Sequence, residues 1–142
     1  KYRFSGPLNK NMLATIDELK SRDSHTVLID SRSQAEYNGE VQKNGAYLAG
    51  AIPGAILLDY YDNCNNEGDR ATYFRSKIEL ATRYASAGVK KEDNIIVYCH
   101  SGVRSAQTTF VLRNLLGYKQ VKNYDGSWVE WSFFQSKDST RY

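Results

Sequence analysis

An α/β domain on a mostly parallel sheet, with helices covering both faces, is the fold class these 142 residues predict. Short β-rich apolar runs alternate with longer stretches of helical period, the pattern of strands joined by helical crossovers. The length suits one compact domain spanning residues 1–142. The reactive residue types also gather just after the strands, where ligands bind in parallel α/β sheets. Asp30 and Arg32 follow the first run, Asp59 the second, Cys99 the third and Asp125 the fourth.

Taken in order, Met12, Ile16 and Leu19 share one helical face, and Val27-Leu28-Ile29 reads as a buried strand. Ala55 to Leu58 is a second strand, entered through the Pro53-Gly54 turn. Asp62 to Arg70, rich in Asn and flanked by Tyr60, Tyr61 and Tyr73, reads as an exposed loop in which Cys64 has no role. Phe74, Ile78, Ala81 and Ala85 share the face of a second helix stopped by Gly88. Ile95 to Tyr98 is the most apolar strand. A third helix runs from Val103 to Leu116 and closes at Gly117, and Val121 to Tyr124 is a weaker fourth strand. The Asp125-Gly126 turn starts a last helix, on which Trp128 and Trp131 share a face and pack against the sheet. His25, before a strand, reads as exposed.

Composition excludes several classes. The chain is 41% hydrophobic and 25% charged, ordinary for a globular protein, and no apolar run reaches the length of a membrane span. A net charge of +3, without basic runs interleaved with aromatics, argues against nucleic acid and for a mild attraction to small anions. Two cysteines and two histidines exclude a disulfide scaffold and a spaced zinc cluster, leaving one formal Cys64–Cys99 pairing. The first residue is Lys rather than Met, so the chain reads as a processed form or a piece of a longer one. The cytoplasm is the expected compartment, with the periplasm as the alternative.

The chemistry centres on Cys99-His100-Ser101-Gly102-Val103-Arg104, between the most apolar strand and a helix. Backbone N–H groups turning into a helix N-terminus, together with the positive end of its dipole, stabilise an anion. A cysteine so placed is a candidate thiolate with a depressed pKa. Gly102 lets the backbone turn tightly. Arg104 sits in the first helical turn, where a cation opposes the dipole, so an anion nearby would explain it. His100 and Ser101 read either as donors to that anion or as plain loop residues.

Four segments carry a family resemblance: Asp30-Ser31-Arg32 with Glu36-Tyr37; Ala49-Gly50-Ala51-Ile52-Pro53-Gly54-Ala55; the Cys99 loop; and Tyr124-Asp125-Gly126-Ser127-Trp128 with Glu130-Trp131. In this order they resemble the rhodanese superfamily over Val27 to Trp131, and the last two look most like the catalytic C-terminal domain of tandem thiosulfate sulfurtransferases. The resemblance implies a five-stranded sheet between helices. It also implies either a missing N-terminal partner domain or a stand-alone form. Cys99 would attack the outer sulfur of thiosulfate, release sulfite and hold a persulfide that cyanide or a thiol then takes. The partners expected are therefore a small anionic sulfur donor and a thiophilic acceptor. No cofactor or metal is called for beyond that covalent persulfide, and the scheme disfavours a Cys64–Cys99 disulfide. By the same resemblance Arg104, Arg32, His100, Ser101, Gly102 and Val103 would line the donor site. For Arg32 the choice lies between the donor's sulfonate and a structural pair with Asp30 or Glu36; Asp30 itself reads as a structural acceptor.

Phosphatase relatives place five residues between cysteine and arginine. Here four lie between Cys99 and Arg104, which suits a single sulfur. Animal thiosulfate enzymes carry Arg and Lys after the cysteine, where this chain has His100 and Ser101. Mercaptopyruvate enzymes match at Ser101, Gly102 and Val103, and bacterial thiosulfate enzymes match at Arg104. Thiosulfate is the donor favoured, with 3-mercaptopyruvate and a persulfide relay to a protein partner as alternatives. Inactive regulatory domains of the family lack the cysteine.

Overall fold

A computed structural model describes residues 10–65 and 73–138. Its sheet has five strands: β1 Leu13–Ala14, β2 Val27–Asp30, β3 Ile56–Leu57, β6 Ile95–Tyr98 and β7 Val121–Tyr124. Their spatial order is β1-β7-β6-β2-β3, and every neighbouring pair is parallel. A separate antiparallel pair joins β4 Cys64–Asn65 to β5 Tyr73–Phe74. The helices are α1 Ile16–Lys20, α2 Gln34–Tyr37, α3 Lys77–Ser86, α4 Val103–Phe110 and α5 Ser127–Asp138. The last turns after α4 widen into a π-helical stretch, Val111–Leu115, so the helix read from Val103 to Leu116 is continuous up to Gly117.

β2 and β6 lie at the centre in the register Val27↔Ile95 to Asp30↔Tyr98, which brings Asp30 and the entry to Cys99 to the same end of the sheet. One face packs Leu80, Tyr84, Val111, Leu112 and Leu116 over Ile29, Val97 and Val121. The other packs Leu19, Trp128 and Trp131 over Leu28, Ile96 and Tyr98. Each such side chain removed from water contributes about 1.5–3 kcal/mol, which is why the two faces hold the strand ends in place. Both tryptophans pack against the sheet, as their spacing predicts. No helix among the described residues is long and apolar enough to cross a membrane.

Several sequence expectations are corrected. Met12 does not share a helix with Ile16 and Leu19: Thr15 caps α1 with Glu18 in a capping box, and Leu13–Ala14 pairs with β7 instead as the fifth strand. In α3 the inward residues are Leu80 and Tyr84, not Ile78, Ala81 and Ala85. Ile78 is 80% exposed, and Phe74 lies in β5 before the helix. Ser76 caps α3, and a Leu–Tyr pair four apart buries far more apolar surface than two alanines. Tyr84 also finds a buried acceptor, Asn63 Oδ1 at 2.8 Å. Cys64 is buried rather than exposed, paired opposite Phe74 and accepting a 3.3 Å hydrogen bond from Gln107 Nε2 at its sulfur. Both cysteines are free. Residues 66–70 of the loop read after Asp62 lie outside the described residues, while His25 is exposed as expected.

Candidate active site

Cys99 follows directly on β6, and the backbone turns through residues 100–102 into α4. Gly102 caps that helix at φ +85, a conformation costly for a residue with a Cβ. A Cβ there would also strike the side chain and main chain of Asp125, so the turn needs glycine twice over. The resulting loop buries Cys99 to 1% exposure. Ser105 lies one turn into α4, its Oγ 3.4 Å from Cys99 Sγ and 3.0 Å from the Gly102 carbonyl.

Burial pushes the Cys99 thiol up, but it is outweighed. The Ser105 hydroxyl, the backbone N–H groups of Ser105 and Ser101, and the charge of Arg104 together hold its pKa below that of an ordinary thiol. Ser105→Ala removes the first of these and is expected to shift the Cys99 alkylation profile to higher pH. An unchanged profile would mean that the hydroxyl serves only the Gly102 carbonyl.

Arg104 points back across the loop to α2. Its Nη1 and Nη2 donate to Glu36 Oε2 and Oε1 at 2.7 and 2.8 Å, and its guanidinium lies 5.7 Å from the Tyr60 ring. Glu36 is 2% exposed and closes a capping box with Ser33, while Lys43 Nζ stands 3.6 Å from its Oε2. Burial would raise the Glu36 carboxyl; the bonds and charge of Arg104, then Ser33 and Lys43, hold it instead at about 2. The anion that explains Arg104 in the first turn is thus in part a carboxylate of the protein.

Arg32 is also paired. It is 2% exposed, donates to both oxygens of Asp30 with a shortest contact of 2.7 Å, and reaches the Gly50 carbonyl at 2.7 Å. Trp128 and Tyr98 lie at 4.7 and 5.5 Å from its guanidinium, and the Tyr98 hydroxyl donates to Asp30 at 2.6 Å. Of the two readings of Arg32, the contacts present here are those of the structural pair with Asp30. Asp30 is the structural acceptor its position predicts.

His100 approaches the Asn44 carbonyl with Nε2 at 3.1 Å. A carbonyl only accepts, so that nitrogen carries the hydrogen and buried Nδ1 is left without a protein partner. Ser101 is exposed, and Val103 projects outward at 76% exposure. The structure therefore brings Cys99, Gly102 and Arg104 together with the Ser101 amide, turns His100 to the Asn44 carbonyl, leaves Val103 exposed and pairs Arg32 with Asp30.

Ser105 and Ser127 are buried and bonded to the loop; Ser105 was not singled out in the sequence, and Ser127 stood in a resembling segment without a role. Position alone could have raised Ser105, since a hydroxyl three residues past a helix cap can reach the cap carbonyl. Among the described residues no group of three His, Cys, Asp or Glu could hold a metal ion. A cavity of about 360 Å³ lies at the other end of the strands, where Lys122 is already paired with Glu18 at 2.6 Å.

A buried thiol in a glycine-turned loop at the carboxyl end of a parallel sheet defines an α/β domain equipped for cysteine nucleophile chemistry. The chain belongs to the Rhodanese-like domain family, whose pattern matches residues 14–133. It is 41% identical over 119 residues to the sulfur carrier protein TtuD of Thermus thermophilus, covering 80% of this chain and 40% of that protein. It is 41% identical over 110 residues to the thiosulfate sulfurtransferase of Corynebacterium glutamicum, covering 73% of this chain and 35% of that one. The chain thus spans less than half the length of these relatives. Among solved structures it resembles EanB in complex with ergothioneine covalently linked with a persulfide, with TM-score 0.78, 28% identity, and 89% of this chain and 31% of that one covered.

Proposed function

We propose that the chain is a sulfurtransferase that takes a sulfane sulfur from thiosulfate onto Cys99 and passes it to cyanide or a thiol. The observation that carries this reading is the Cys99 thiol, buried to 1% exposure yet held below its ordinary pKa by the Ser105 hydroxyl and by loop amides. The thiolate attacks the outer sulfur of thiosulfate. One S–S bond forms, the bond within thiosulfate breaks, and sulfite leaves with the electron pair. The acceptor then attacks the outer sulfur of the persulfide and the Cys99 thiolate departs. The amides of Ser101 and Ser105 carry the anionic sulfur, and no cofactor enters the scheme. Arg104 acts through its charge, because its fork is held by Glu36. His100 and Val103 border the entrance, and Gly102 sets the turn. The names of the thiosulfate sulfurtransferase and sulfur carrier relatives support the same chemistry.

A second reading, transfer to a protein thiol, is favoured by the outward Val103 beside the loop and by the relative named a sulfur carrier protein. Stoichiometric loading separates the donors. Incubation with thiosulfate is expected to release one sulfite per chain and add one sulfur atom to the Cys99 peptide. Pyruvate released from 3-mercaptopyruvate with no sulfite from thiosulfate would overturn the donor assignment. No loading from either would overturn small-molecule transfer and leave the protein relay.

A further inference from the structure

We propose that Ser127 is the positioning residue of the thiol loop, turning two of its N–H groups away from the sulfur. Ser127 is the first residue of α5, fully buried, and the non-glycine residue at positive φ (+52) among those described. Side chains other than glycine, asparagine and aspartate seldom sit there, so the position is occupied for what its hydroxyl does. That hydroxyl uses its whole capacity. It accepts from the N–H of Cys99 at 3.1 Å and of Gly102 at 3.0 Å, and donates to the Tyr124 carbonyl at 2.7 Å. The next two amides of α5 complete the grip: Trp128 N–H donates to the Cys99 carbonyl at 3.0 Å and Val129 N–H to the His100 carbonyl at 3.1 Å.

The grip has a chemical consequence. A loop whose amides all turn inward makes a cradle for a tetrahedral oxyanion. Here the Cys99 and Gly102 N–H groups bind Ser127, while the amides of Ser101 and Ser105 serve the sulfur. Withdrawing two of the loop's donors leaves a smaller site, suited to one anionic sulfur. Ser127 thereby sets both the shape of the loop and the small size of its anion site.

The inference rests on Cys99 as the reactive thiol and is independent of the sulfur donor, so its test uses alkylation. The rate of Cys99 modification by iodoacetamide is measured against pH, located by peptide mass, in Ser127→Ala, Ser127→Gly and the control Ser132→Ala. Ser132 lies on the same helix, equally buried, accepting from Tyr47 N–H at 3.0 Å. Both Ser127 variants are expected to slow alkylation at pH 7 about tenfold, because two buried donors lose their acceptor and the loop loosens around the thiolate. Ser127→Gly is expected to melt above Ser127→Ala, since glycine tolerates the left-handed backbone, yet to stay equally slow. Ser132→Ala is expected to lower the melting temperature with the wild-type profile intact. A wild-type profile in Ser127→Gly, or an equal slowing in Ser132→Ala, would overturn the proposal by showing that the hydroxyl only supports the helix. An ordinary thiol profile in the unmodified protein would overturn the reading of Cys99 itself, and is seen before any variant is made.

Discussion

Cys99→Ser is expected to abolish sulfur loading and to reduce thiocyanate formation from thiosulfate and cyanide by at least about a thousandfold, the scale of losing an attacking nucleophile. A serine hydroxyl does not ionise near neutral pH and cannot hold a sulfane sulfur reversibly. Cys64 offers no substitute, because it sits in strand β4 rather than in the loop that opens α4, and its sulfur already accepts from Gln107 at 3.3 Å. Stability should change little, since serine is smaller and keeps a polar atom beside Ser105. Turnover is followed as thiocyanate and loading as protein mass. Persistent loading, mapped to Cys64, would show that the sulfur travels through the wrong cysteine.

The largest stability effect is expected from Glu36→Gln. The wild-type carboxylate is 2% exposed and takes both arms of the Arg104 fork, so removing its charge leaves a mostly buried guanidinium uncompensated. Breaking one partner of such a pair costs about 3–5 kcal/mol when both are buried; with Arg104 at 16% exposure, about 2–4 kcal/mol is expected at pH 7. The pH dependence follows from the folded carboxyl at about 2 against its ordinary 4.5. A depressed acid contributes its stability above the unfolded value and loses it as pH falls towards the folded one. The contribution, on the order of 3 kcal/mol, is therefore present at pH 5 and above and disappears between about pH 4.5 and 2. Urea unfolding should show the gap between wild type and variant narrowing across that window. A gap of constant size would mean that Glu36 acts through packing rather than charge.

The strands read from apolar runs recur in the sheet because short, mostly buried apolar runs flanked by polar residues have few other ways to hide their backbone. The fifth strand did not stand out, since Leu13–Ala14 is two residues long and its pairing with β7 is decided by a segment more than a hundred residues away. The phase of α3 misled for a similar reason. Ile78 and the alanines match a helical period, but the Ser76 cap and the Asn63 acceptor turn Leu80 and Tyr84 inward.

At the site, the local rules were enough for Cys99 and Gly102. A thiol after an apolar strand, followed by a glycine and a helix, states its chemistry within six residues. By itself the sequence determined the α/β class, four of the sheet's five strands and the cysteine loop between strand and helix, because each depends on neighbours in the chain. Only the tertiary structure decided what becomes of the charges and hydroxyls around it. Arg32 went to Asp30 and Gly50, Arg104 to Glu36 from α2, and the loop amides to Ser127 from α5. Such partnerships are settled by which strand ends lie side by side, and a buried charge or N–H takes the nearest acceptor wherever in the chain it lies.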